Sequence, residues 1–332
     1  MTKKRKFRQI AAYVLGAVTA VAILALGMAC TAEEEKEKIV FADLNWESAE
    51  IQTRIAGYIL EHGYGYPVEN VVADTTSQFP AFENDDVHVS MEVWVDNIED
   101  VYNDAVAAGS IVPAGVTLPD NWQGWVIPKY VKDANPGLVS VTDIPDYQDV
   151  FVTPDSNGKA RFVTCIPGWG CELVNQKKID AYDLGETLDI LSPGSSAGLM
   201  SDLEGAYGRQ EAWLGYMWAP TKVAGELDLY VLDEPPHTDE CWAGDQACAY
   251  PTVDIRIVVS KALSERAPEV VEFFGNWEFE SKTAGAVEAW MKNNNETPEA
   301  AAVWYLNNNR DAWSGWVTSD AAEKVDEALA EG

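Results

Sequence analysis

From residue 38 onward the chain alternates short apolar runs with amphipathic stretches. Lys38-Ile-Val-Phe-Ala-Asp43 reads as a first strand, and Asn45-Trp46-Glu47-Ser48 as the turn that ends it. Ala49 to His62 carries Ile51, Ile55, Tyr58 and Ile59 on one face, the spacing of an amphipathic helix. Val71–Asp74 and Val87–Trp94 predict two further strands, the second leading into a helix over Ile98–Ala108. Gly124–Val131 reads as a strand that leaves this first lobe. A second lobe then runs to about Pro251, and the apolar run Val253–Ser260 returns the chain to the first. Helices over Ala262–Glu280 and from Ala284 to the C-terminus complete it. Strands alternating with helices predict an α/β class, with functional loops at strand ends. Two lobes joined by two crossings make a hinged ligand trap. The expected division is 39–135 and 252–332 for the first lobe and 136–251 for the second.

The first 38 residues follow a different pattern. Lys3, Lys4, Arg5, Lys6 and Arg8 precede an almost wholly apolar run, Ile10–Ala29, which ends at Cys30. This reads as an export signal over 1–29 and a charged tether over 30–38. Leu26-Gly27-Met28-Ala29-Cys30 resembles a lipoprotein cleavage site that would leave Cys30 lipidated, although Gly27 stands where the pattern prefers leucine. The apolar run also approaches the ~20 residues of a spanning helix, so an uncleaved anchor is the alternative. Either way the lobes lie outside the cytoplasmic membrane.

Cysteine usage fits export. Five cysteines divide into Cys30 alone and two close pairs, Cys165 with Cys171 and Cys241 with Cys248, expected as disulfides. Cys165-Ile-Pro-Gly-Trp-Gly-Cys171 would tie a turn that presents an indole face beside bare backbone N–H groups, suited to a ligand cationic at one end and anionic at the other. Without the leader, five of the 23 basic residues are gone, leaving 18 against 54 acidic ones, a net charge of −36. Such a balance argues against nucleic acid as a partner, since phosphate binding needs clustered Lys and Arg. It mildly favours cationic ligands, or reflects adaptation to salt.

Thirteen tryptophans are present. Trp277, Trp290, Trp304, Trp313 and Trp316 fall on predicted C-terminal helices, where packing explains them. Trp46, Trp94, Trp169 and Trp218 each occupy a strand end or turn, two in each predicted lobe, so lobe closure could bring all four together.

The segments Asp155-Ser-Asn-Gly-Lys-Ala160, Cys165–Glu172 and Gly215-Tyr-Met-Trp-Ala-Pro220, with Asn45–Ser48 and Glu92-Val93-Trp94, resemble the glycine betaine/proline betaine-binding proteins of ABC importers, to which choline binders are related. The resemblance covers nearly the whole chain after Cys30. It implies a two-lobed type II periplasmic-binding-protein fold with a hinge and an interlobe ligand cleft, without a cofactor. It also implies a tryptophan cage of Trp94, Trp169 and Trp218, with Trp46 as a fourth wall, around a quaternary ammonium group. The backbone N–H groups of Gly170 and Cys171 correspond to those that hold the ligand carboxylate. Some relatives use a histidine four residues after the tryptophan that matches Trp94; here that position is Ile98, which cannot donate, and Asn97 is the substitute candidate. The implied partners are an ABC permease and its ATPase. Carnitine, choline and proline betaine are rival ligands, and a sensory receptor lobe is the rival role.

Signals for catalysis are weak. Gly194-Ser-Ser-Ala-Gly198 fits a nucleophile elbow, but His62, His88 and His237 have no triad context, so Ser195 or Ser196 is expected to cap a helix. Asp155-Ser-Asn157-Gly158 lacks the ligand set of a calcium loop, and no metal-ligand spacing appears.

Overall fold

The computed structural model describes residues 36–331. The expected leader, the lipidation site Cys30 and most of the tether lie outside the described residues.

The first lobe is built on β1 (Ile39–Leu44), β2 (Val68–Ala73), β3 (Val89–Trp94) and β4 (Ile111–Thr117). The second holds β5 (Trp122–Pro128), β6 (Ala160–Val163), β7 (Leu188–Leu191), β8 (Gly215–Ala219) and β9 (Leu229–Val231), after which β10 (Ile255–Ser260) returns to the first. The sheet orders are β2-β1-β3-β10-β4 and β7-β6-β8-β5-β9. In the first sheet β1 runs parallel to β2 and β3, while β10 is antiparallel to β3 and β4. In the second, β6 is parallel to β7 and β8, and β5 is antiparallel to β8 and β9. Residues of β1, β3 and β10 are nearly all buried, as expected of strands covered on both faces. The fold is therefore α/β with two lobes.

The strand around Gly124–Val131 does not belong to the first lobe. β5 pairs with β8 and β9, so the chain crosses at 118–121 rather than near 135. An apolar strand looks the same in either sheet, and only its pairing partners decide which one it joins. Asn121 joins the two crossings: its side-chain nitrogen donates to the Leu118 and Val253 carbonyls (2.9 and 2.7 Å), and its oxygen accepts from the Val253 amide at 3.0 Å. A single side chain thus links outgoing and returning strands at the hinge.

Helix α1 (Glu47–Tyr58) starts directly after Trp46 and ends in a π-turn over Ile59–Gly63. The stretch expected as one helix over Ala262–Glu280 is split into Lys261–Arg266 and Pro268–Gly275. Pro268 cannot continue a helix begun before it, but suits the first turn of a new one. Trp277 and Trp316 sit in loops rather than helices, and both are buried. Ser195 caps the helix Ser196–Gly208 by accepting the Gly198 amide, which is the helix-cap role and not a nucleophile elbow. Among the described residues no helix is long and apolar enough to cross a membrane, and no metal-binding group of side chains exists.

Candidate functional site

A cleft of about 300 Å3, partly open to solvent, lies between the lobes. Trp46 and Trp94 reach it from the ends of β1 and β3, and Trp169 and Trp218 from the second lobe. Trp169 meets Trp46 edge-on, with ring centroids 5.0 Å apart and planes at 69°. It meets Trp218 in the same way, at 5.2 Å and 83°. Three near-perpendicular indoles therefore form a corner, and Trp94 lines the same space. All four are nearly buried, at 3–8 % exposure. The sequence-predicted residues Gly170, Cys171 and Asn97 line the cleft with them.

The loop before Trp169 is tied as expected. Cys165 is bonded to Cys171 and Cys241 to Cys248, with Cα separations of 5.9 and 6.6 Å. Gly168 has φ +92°, which side chains disfavour, and a Cβ there would lie 2.7 Å from an Asp74 carboxylate oxygen. Trp169 is the N-cap of the helix Gly170–Ala181. Gly170 and Cys171 thus contribute its first two N–H groups, which have no carbonyl four residues back to accept them. The helix dipole adds to their attraction for an anion.

The lobes are closed upon one another. Trp169 Nε1 donates to Asn45 Oδ1 at 2.6 Å, and Ser196 Oγ donates to Glu47 at 2.6 Å. Trp242, inside the second cysteine loop, donates its indole N–H to the Asp96 carbonyl at 2.8 Å. Asn97 Nδ2 donates to Gln123 Oε1 at 2.8 Å, and Gln123 Nε2 returns a longer bond of 3.3 Å. Asn97 is therefore engaged with the opposite lobe, and each amide keeps a second N–H. Ile98 is buried against Gly170, where a Cβ would lie 3.0 Å from its methyl group.

Sequence reasoning missed Gln123, Tyr216 and Thr75, which also line the cleft. Tyr216 OH donates to Gln123 Oε1 at 2.8 Å, and burial pushes its phenol pKa well above the ordinary value. The signal for Tyr216 was available, because it stands two residues before Trp218 on one strand and so on the same face. Gln123 is paired directly across from Trp218 in the β5–β8 ladder, a relation that no local pattern reveals. Among the lining residues none is a lysine, arginine or histidine, so the polar groups of this cleft are neutral.

Residues 37–308 match the family model described as the substrate-binding domain of ABC-type glycine betaine transport systems. The chain is 27% identical over 291 residues to the trimethylamine N-oxide-binding protein of Pelagibacter ubique, covering 85% of this chain and 91% of that protein. It is 25% identical over 244 residues to the glycine betaine/proline betaine-binding periplasmic protein of Salmonella typhimurium, covering 68% and 72%. Its fold matches that of a glycine betaine/L-proline-binding protein of an ABC transporter from Borrelia burgdorferi, with a TM-score of 0.73 at 17% identity, covering 88% of this chain and all of that one. Family, fold and lobed architecture agree, and the family consists of solute-binding proteins rather than enzymes. The chain belongs to the substrate-binding domains of ABC-type glycine betaine transport systems.

Proposed function

We propose that this protein captures glycine betaine, or a related small quaternary ammonium solute, between its lobes and delivers it to an ABC permease and ATPase. It works outside the cytoplasmic membrane, held there by a lipid on Cys30 or by an N-terminal span. The observation that carries this reading is the corner of Trp46, Trp169 and Trp218, completed by Trp94. A trimethylammonium group has no N–H to donate, and indole faces offer it apolar contact and negative potential together. At ~1–2 kcal/mol for each desolvated face, three or four faces supply much of the ~8 kcal/mol of micromolar binding. The ligand's anionic end would rest on the Gly170 and Cys171 amides, with Asn97 and Gln123 beside them.

Trimethylamine N-oxide is the second reading. It is favoured by the Pelagibacter relative, aligned over nearly its full length, and by a cleft lined with neutral polar groups. An N-oxide oxygen needs one or two donors, whereas a carboxylate has two oxygens to satisfy. Calorimetric titration with glycine betaine, choline, trimethylamine N-oxide and tetramethylammonium separates these readings. Preference for betaine supports the first and preference for the N-oxide supports the second. Binding of none of them overturns the cage assignment.

A further inference from the structure

Glu92 lies two residues before Trp94 on β3 and is 1 % exposed. One of its oxygens, Oε2, accepts the indole N–H of Trp46 at 2.7 Å and that of Trp94 at 3.2 Å. The other, Oε1, accepts from Gln52 Nε2 at 2.6 Å. Gln52 is itself held, its oxygen accepting from Thr117 Oγ1 at 2.5 Å and from Trp277 Nε1 at 3.2 Å. Every one of these donors is neutral, and among the described residues Glu92 makes no ion pair. A buried carboxylate of this kind is costly unless a cation compensates it.

Resting on the reading of the cleft as a quaternary ammonium site, we propose that Glu92 is the buried counter-charge of that site, with the bound ligand's cation as its missing partner. Glu92 does not line the cleft; it acts through two walls of it as a positioning residue. Its carboxylate fixes both indoles by their N–H groups. A carboxylate accepting an indole N–H also pushes electron density into the ring, which strengthens the ring face toward a cation. The low-dielectric surroundings that make the lone charge costly extend its field into the cleft. Burial outweighs the pull of the neutral donors and raises the Glu92 pKa, and a cation in the cleft would shift the balance back toward the charged form.

The test compares glycine betaine with 3,3-dimethylbutanoate, which replaces the quaternary nitrogen by carbon and keeps the shape and carboxylate. Affinities are measured by calorimetry and competition in the wild type, Glu92→Gln and Glu92→Asp, with thermal melts to establish folding. The expected result for Glu92→Gln is a loss of betaine affinity of about 30-fold, near 2 kcal/mol, with the affinity of the cation-free carbon analogue unchanged or tighter. Glu92→Asp keeps the charge, so it should weaken both ligands while retaining the preference for betaine. An equal loss for both ligands in Glu92→Gln would reduce Glu92 to a support for the rings and overturn the counter-charge. Unchanged betaine affinity would overturn it as well. A wild type that binds neither betaine nor choline nor trimethylamine N-oxide contradicts the underlying reading instead, and is recognised before any variant is made.

Discussion

Trp169 of the second lobe donates its indole N–H to the side-chain oxygen of Asn45 of the first, at 2.6 Å. The same ring forms the middle wall of the tryptophan corner. Closing the lobes and completing the corner are therefore one event. A ligand that needs both halves shifts the hinge equilibrium toward the closed form by its preference for that form. Replacing Asn45 by alanine removes one neutral hydrogen bond, about 1 kcal/mol. The expected outcome is a roughly fivefold weaker ligand affinity with little change in the melting temperature of the unliganded protein, read by calorimetry and thermal melts.

Trp169 and Trp218 both come from the second lobe, and neither can be replaced from the first. Trp169→Ala or Trp218→Ala should lower affinity roughly 100-fold or more, because each removes a full indole face at the centre of the site. Circular dichroism of both variants should match the wild type. Near-normal affinity in either would return these rings to ordinary packing.

Gly170 offers a cleaner probe of closure than Gly168. Its place in the first turn of a helix suits alanine well, so the substitution should not strain the lobe that carries it. In the closed form, however, the new Cβ would lie 2.9 Å from Asn97 Cβ and 3.0 Å from Ile98 Cγ2, both on the other lobe. Gly170→Ala should weaken binding at least tenfold and leave the unliganded melting temperature within a degree or so. Small-angle scattering with ligand present should then show a more open molecule than the wild type does.

A pH dependence follows from Glu288, 2 % exposed on the helix Ser281–Asn294. Burial and the nearby Glu47 push its pKa up to about 8, against the pull of Lys222 and Lys292. In the folded protein it holds a proton that the unfolded chain has released above the ordinary carboxylate value. Its contribution to stability is therefore present at low pH and lost as pH rises toward 8. Wild-type stability should fall relative to Glu288→Gln across that window, by up to about 1.4 kcal/mol per pH unit. Denaturant titrations of the two proteins at several pH values read the difference directly.

Much of this site was legible because it is local. The turn Asn45–Ser48, the end of β3 and the cysteine loop each place a tryptophan beside a strand end, and all four rings line one cleft. In the first sheet β1, β2, β3 and β10 were readable as apolar-rich runs, whereas β4 (Ile111–Thr117) was not foreseen. The membership of β5 was not readable either, since Trp122–Pro128 is as apolar as any first-lobe strand and only pairing with β8 and β9 assigns it. Gln123 escaped notice for the same reason. Glu92 was visible only as the neighbour of a tryptophan, because its role depends on Trp46 and Gln52, 46 and 40 positions earlier. Nothing local to Trp242, inside the second cysteine loop, shows that its N–H clasps the opposite lobe.

The most direct test of the central claim is a crystal structure of the protein grown with glycine betaine. The account predicts the quaternary nitrogen within ~6 Å of the ring centroids of Trp46, Trp94, Trp169 and Trp218, with the carboxylate on the Gly170 and Cys171 amides. Betaine bound away from these rings, or a cleft whose indoles remain packed while betaine binds elsewhere, would contradict it.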